Sequence, residues 1–163
     1  MQKMRGHHLE KIVIATGVGR LRQRPQFEDN LLPEIIKELA LITGQKPAIR
    51  KAKKSVAGFK VREGDIVGLK ITLRGKRMKD FLTRLVGFVL PRIRDFRGID
   101  PKSVDAQGNL TIPIREHIVF PEINSDEVKV DFGLEVTLVS SAKSPKEGLA
   151  FYKELGIPLK QDG

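Results

Sequence analysis

The stretch DIVGLKITLRG, Asp65–Gly75, decides the fold. Val67, Leu69, Ile71 and Leu73 alternate with Gly68, Lys70 and Thr72, which is the two-residue period of a strand buried on one face only. The same alternation predicts that Lys70, Thr72 and Arg74 share the opposite face, away from the core. A sheet that is apolar on one side and cationic on the other takes its covering helices on the apolar side. The expectation is an α+β fold: an antiparallel sheet with helices packed on one face and an open face left for a ligand.

The flanking segments fit that plan. Upstream, β-branched Ile12, Val13 and Ile14 predict a strand over Lys11–Thr16, with Gly17 and Gly19 turning the chain. Leu32, Ile35, Ile36, Leu39 and Ile42 recur at helical spacing and predict a helix from about Asp29 to Thr43, stopped by Gly44. Ala48–Lys51 reads as a short strand, and Ser55–Gly64 as a loop bent at Gly58. Downstream, Met78, Phe81, Leu82, Leu85, Val86, Val89 and Ile93 make the buried stripe of a helix over Arg77–Phe96, bent or ended by Pro91. Gln107-Gly108-Asn109 marks a hairpin between Val104–Ala106 and Leu110–Ile114, and Val128–Val139 is a further strand region. Ser144, Pro145 and Glu147 form the capping box of a last helix that Gly156 closes. Residues 1–163 read as one domain, with one half over 10–75 (sheet, basic loop and first helix) and a second half over 76–160.

Charge is concentrated rather than spread. Between Lys46 and Arg77 there are eleven lysines and arginines against Glu63 and Asp65, a net +9 out of the formal +10 of the whole chain. The run KAKKSVAGFKVREG spaces its cations with small and single apolar residues, which suits a folded loop or strand pair presenting them to phosphates. A sequence pI near 10.0 points to nucleic acid as the acidic partner. With no cysteine, a thiolate metal site, a disulfide framework and a catalytic thiol are excluded. No apolar run reaches the length of a membrane span, and the start MQKMRGHHLEK lacks the apolar stretch of a secretory signal, so a cytoplasmic location is expected and no membrane partner.

No convincing active site emerges. His7 and His8 have no third ligand at metal spacing, and His117 reads as a satisfied structural imidazole. Gly17-Val18-Gly19 lacks the third glycine of a dinucleotide loop, where Arg22 stands instead. Glu63 and Asp65 could hold a divalent metal for RNA cleavage, but amid so many cations they read as turn residues and internal counterions. No metal and no cofactor are expected. Trp is absent and Tyr152 is the only Tyr, so recognition of RNA by shape and backbone is expected over single-strand stacking. Phe59 is the one aromatic placed in the basic loop.

The segment GQKPAIRKAKKSVAGFKVREGDIVGLKITLRGKRMKDFLTRL, continuing into LPRIRDFRGID, resembles the bacterial-type ribosomal protein L five family. The likeness runs collinearly from Glu10 to Ile157 and includes IREHIVFPEI at Ile114–Ile123 and the SSAKSPKEG helix start. The resemblance implies a non-catalytic large-subunit protein on the ribosome. Its open sheet face would grip 5S rRNA and help attach it in the central protuberance, with 23S rRNA nearby. A basic loop would contact the peptidyl-site tRNA, and the later half, around Arg97–Gly108 and Phe120–Gly133, would bridge to a small-subunit head protein. Carried onto this chain, Gln45 and Thr72 match polar rRNA-binding positions. Lys46, Arg50, Lys70, Arg74, Arg92 and Arg94 complete the cationic set. Lys53, Lys54, Ser55, Val56, Ala57, Gly58, Phe59, Lys60 and Arg62 match the tRNA-contact loop.

Two departures stand out. Family members commonly begin with a further helical segment, whereas this chain starts almost at the first strand. The family's first strand typically ends in an Asn-containing motif, and here Ile14-Ala15-Thr16-Gly17 stands in its place. Thr16 or Arg20 is then expected to replace that Asn on the RNA, with Arg22 and Arg24 adding charge. Two other function classes bind or act on the same polyanions: an RNA-processing enzyme using Glu63 and Asp65 with a divalent metal, and a general polyanion-binding protein.

Overall fold

The alternation of Asp65–Gly75 becomes an inner strand of a five-stranded antiparallel sheet. The structure, a computed structural model, describes residues 6–161, except for the Phe59 side chain. The strands are β1 (Leu9–Gly17), β2 (Ala48–Lys51), β3 (Ile66–Leu73), β4 (Leu110–Ile114) and β5 (Leu134–Ser140), in the order β2-β3-β1-β5-β4. The helices are α1 (Leu32–Thr43), α2 (Gly75–Arg84) and α3 (Pro145–Leu155).

Register sets the two faces. Ile12 pairs with Leu73 and Leu138, and Ile14 with Ile71 and Val136; all are buried and lie in one core cluster with residues of all three helices. Facing the other way are Val13 between Thr72 and Thr137, and Ala15 between Lys70 and Glu135. The helices therefore cover one face and leave the other open, as the alternation of β3 requires.

Caps form where their residue types demand. Gly44 and Gly156 end α1 and α3 in the left-handed conformation, at φ 73° and 95°. Ser144 Oγ accepts from Glu147 N at 3.2 Å, while the Glu147 carboxylate accepts from Lys143 N, one residue before the cap.

Three boundaries differ from expectation. A π turn over Phe27–Leu31 precedes α1, starting the coil earlier than Asp29. The helix expected over Arg77–Phe96 is α-helical only to Arg84. It widens to a π turn at Leu85–Val89, tightens at Leu90–Arg92 where Pro91 has no N–H to give, and turns extended at Ile93. The strand expected over Val104–Ala106 reduces to a single bridge between Val104 and Leu110, because Asp105 accepts from Gln107 N and Asn109 N and closes a tight turn. Similarly, Val128–Val139 is a strand only from Leu134, where β1 and β4 are both in place to pair with it.

Candidate nucleic-acid interface

The open face is built in rows running across the strands. One row reads Ala48, Lys70, Ala15, Glu135, Pro113 from β2 to β4; the next reads Thr72, Val13, Thr137, Thr111. Arg50 pairs with Gly68, and Gly68 with Gly17, at the end of the β1–β3 ladder. Gly68 is required there, since a Cβ at this position would stand 2.9 Å from the Thr16 carbonyl oxygen. Lys70 and Thr72 are half-buried by their neighbours on this face, and Arg50, Lys46 and Arg74 are exposed around it. The expected cluster of Lys46, Arg50, Lys70, Thr72 and Arg74 is thus brought together at the β2–β3 side.

Gln45 sits beside that cluster but is already engaged. Its Nε2 donates to Thr72 O at 3.1 Å and its Oε1 accepts from Arg77 Nη1 at 3.2 Å, so the amide ties the end of β3 to α2. One Nε2 hydrogen remains for a ligand.

Thr16 does not lie on the open face. It is 4% exposed, and its hydroxyl donates to Gly133 O. One residue along a strand reverses the face, so Thr16 holds the entry to β5 while Ala15 and Gly17 look outward. Thr16 therefore cannot take over a side-chain contact to RNA. Arg20 is exposed in the turn after β1. Arg22 is also committed: its Nη1 lies 2.9 Å from Asp65 Oδ2 and its Nη2 donates to Lys60 O at 3.1 Å. Arg94 stands at the other edge, lining a depression of about 450 Å³ with Pro113 and Arg115 of the β4 end, and Arg92 is exposed just before it. These two arginines are not part of the β2–β3 cluster.

The basic loop is a hairpin. Ala52 N donates to Asp65 O and Gly64 N to Ala52 O, and Val56 and Val61 exchange both backbone bonds at 2.8 and 3.1 Å. A tight turn over Ala57–Phe59 closes it, and Lys60 at φ 52°, rather than Gly58, takes the left-handed position of the bend. Lys53, Lys54, Lys60 and Arg62 are all presented on it, together with Ser55, Val56, Ala57 and Gly58. Ser55 Oγ accepts from Glu63 N, and Val56 leaves 42% of its surface open. The Phe59 side chain lies outside the described part of the structure.

Asp65 accepts from Arg62 N as well as from Arg22, which makes it an internal counterion at the hairpin base. Glu63 is an exposed turn residue. His117 is fully buried, accepts at Nδ1 from Phe132 N at 3.4 Å, stacks on the Phe132 ring, and turns Nε2 to the Glu38 carboxylate of α1. Its surroundings are those of a structural imidazole.

Two family models together match nearly the whole chain. Residues 2–62 match the family described as Ribosomal protein L5, and residues 66–159 match the model of that ribosomal family's C-terminus. The chain belongs to the ribosomal protein L5 family. Proteins named large ribosomal subunit protein uL5 are similar over nearly all of it. That of Halothermothrix orenii is 51% identical over 153 residues, covering 94% of this chain and 83% of the relative. That of Fusobacterium nucleatum is 50% identical, covering 94% and 81%. That of Anaeromyxobacter sp. (strain K) is 45% identical over 158 residues, covering 97% and 86%. As an L5 family member, the chain is a structural, non-enzymatic protein of the large ribosomal subunit, located on the cytoplasmic ribosome and associated with rRNA. Family membership removes the metal-dependent nuclease reading of Glu63 and Asp65.

Sequence reasoning misses two residues that line the depression on the open face, Glu135 and Arg115. A signal exists for Glu135: Leu134, Val136 and Leu138 alternate with Glu135 and Thr137 as regularly as β3 does. Arg115 follows the end of β4, where no period marks which way a side chain faces.

Proposed function

We propose that this L5 family protein binds 5S rRNA on its open sheet face and helps attach it, with 23S rRNA, in the central protuberance. The observation that carries the reading is the gathering of Lys46, Arg50, Lys70, Thr72 and Arg74 on the one face that no helix covers. Cations neutralise phosphates there, and the Thr72 hydroxyl and the remaining Gln45 N–H supply directional bonds that report RNA shape. Arg20, Arg92 and Arg94 add charge at the margins, and Thr16 serves by holding β1 to Gly133. Residues 10–75 and 76–160 act as one domain in this role, since β1 and β3 of the first share a sheet with β4 and β5 of the second.

The hairpin from Lys53 to Arg62 contacts the peptidyl-site tRNA. Its backbone ladder keeps it stiff enough to carry its cations outward from the sheet. The bridge to a small-subunit head protein falls in the later half, where Asp126, Glu127 and Asp131 are exposed between Phe120 and Gly133 and would meet a basic partner.

A salt titration tests this. Binding to folded 5S rRNA, to a tRNA and to a scrambled RNA of equal length is followed as salt rises; each neutralised phosphate steepens the slope by roughly 0.9 for duplex contacts. A persistent advantage of 5S rRNA at high salt is expected, and convergence of the three would leave only a general polyanion binder.

A further inference from the structure

A carboxylate stands in the middle of the open face, among its cations. Glu135 on β5 is exposed, and its carboxylate makes no hydrogen bond or ion pair among the described residues. On a surface meeting a polyanion, an unpaired carboxylate is repelled unless it faces hydrogen-bond donors. The register shows what lies opposite. Glu135 pairs with Ala15 of β1, and Ala15 pairs on its other side with Lys70 of β3. Two strand spacings separate Lys70 from Glu135, about 10 Å between Cα atoms. The floor between them is Ala15, with Gly17 and Gly68 in the adjoining positions on one side, so no side chain larger than a methyl rises there, while Val13, Thr72 and Thr137 wall the other side. A depression of about 380 Å³ opens over Ala15, Gly17 and Glu135 and runs toward Pro113, Arg115 and Gly133; Lys70 does not line it and stands across Ala15 on β3, at its open margin.

We propose that this slot takes an unpaired guanine of the bound RNA. The flat floor accepts the plane of a base. Glu135 accepts from the guanine N1–H and N2–H₂, two donors side by side on one edge, and the Lys70 ammonium donates to O6 or N7 on the other. Adenine and cytosine each present a single exocyclic amine beside a ring acceptor, which a carboxylate would meet lone pair to lone pair. Lys70 and Glu135 together select guanine, whereas Arg50 and Lys46 contact phosphate without regard to sequence. This assignment rests on the reading of the sheet face as the 5S rRNA site.

The sign of one substitution separates base reading from charge. Glu135→Gln removes a negative charge, so a surface that recognises phosphate alone binds RNA more tightly in the variant. A guanine slot loses one of its two acceptors and binds 5S rRNA less tightly, by about 5- to 150-fold, with an unchanged salt slope. Glu135→Ala should behave alike, and both variants should keep the wild-type melting temperature because the side chain is exposed. Kethoxal, which modifies guanine at N1 and N2, supplies the second readout. The full-length protein should protect at least one 5S rRNA guanine, and both variants should lose that protection. Equal or tighter binding by Glu135→Gln overturns the slot while leaving the 5S reading intact. So does weaker binding with an unchanged kethoxal pattern, which would assign Glu135 to a 2′-hydroxyl. If the wild-type chain itself shows no preference for 5S rRNA over scrambled RNA, the reading beneath it falls and the slot falls with it.

Discussion

Replacing Glu38 by alanine removes the carboxylate that faces a fully buried imidazole. Glu38 is 7% exposed and His117 0%, so the imidazole loses its acceptor at a site largely shielded from solvent. Because Phe132 N donates to His117 Nδ1, the ring proton sits on Nε2, pointing at the Glu38 carboxylate. Leaving the buried imidazole N–H without its acceptor costs about 1–3 kcal/mol. For a domain of this size each kcal/mol moves the melting temperature by about 2–4 °C, so a drop of roughly 2–12 °C is expected. Glu38→Gln keeps an acceptor oxygen and should cost less, about 1 kcal/mol. Combining Glu38→Leu with His117→Phe removes both polar partners and should be clearly less damaging than the two single changes added together. It will not restore full stability, since the Phe132 amide then loses its side-chain acceptor. Urea unfolding followed by circular dichroism measures each variant. A Glu38→Ala variant within about 1 kcal/mol of the parent, or strict additivity in the double variant, would refute the pairing. The consequence reaches the interface, because His117 and Phe132 are also joined by a 3.0 Å backbone bond, and Phe132 precedes the Gly133 that Thr16 holds.

Other consequences follow from single contacts. Gly68→Val should destabilise the fold by about 1–3 kcal/mol in the same assay, since its Cβ meets the Thr16 carbonyl at 2.9 Å; a neutral result would mean that β1 and β3 part there without cost. Arg22→Gln should cost no more than about 1 kcal/mol globally, as befits a partly exposed pair, yet speed amide exchange in hairpin residues 52–65 while leaving β1 unchanged. Uniform exchange rates would show that the hairpin base does not depend on Arg22. Burial, assisted by the charge of Asp105, pushes the Tyr152 phenol up to about 12 from its ordinary 10.0. The folded state therefore holds the phenolic proton more tightly than the unfolded chain, a contribution complete below about pH 10 and lost as pH rises from there toward about 12. Melting temperatures of Tyr152→Phe should accordingly fall less steeply than the parent's over that range, although the variant is weaker at neutral pH by about 1–2 kcal/mol for the one phenolic hydrogen shared between Gly108 O and Leu138 O.

Much of this molecule is local and legible as such. The two faces of β3 and the capping box at Ser144 are each settled by periodicity or side-chain chemistry within a dozen residues, and each stands where those properties place it; charge marks the basic loop, but its hairpin pairing and its bend at Lys60 in place of Gly58 are not written in that charge. The limits of the elements are less legible, because a helix stripe such as that after Met78 continues past the point where Pro91 withdraws a backbone donor. What tertiary structure alone decided is which of these pieces meet. Arg22 finds Asp65 across 43 residues and becomes a hairpin brace instead of a free cation. Thr16 turns inward to Gly133 rather than outward to RNA, a difference of one residue in strand phase. Lys70, Ala15 and Glu135 fall into one row because antiparallel pairing brings together strands far apart in the chain. Period and charge are properties of a segment, whereas a row across a sheet is a property of register, and register is set by burying three strands' apolar faces in a common core at once.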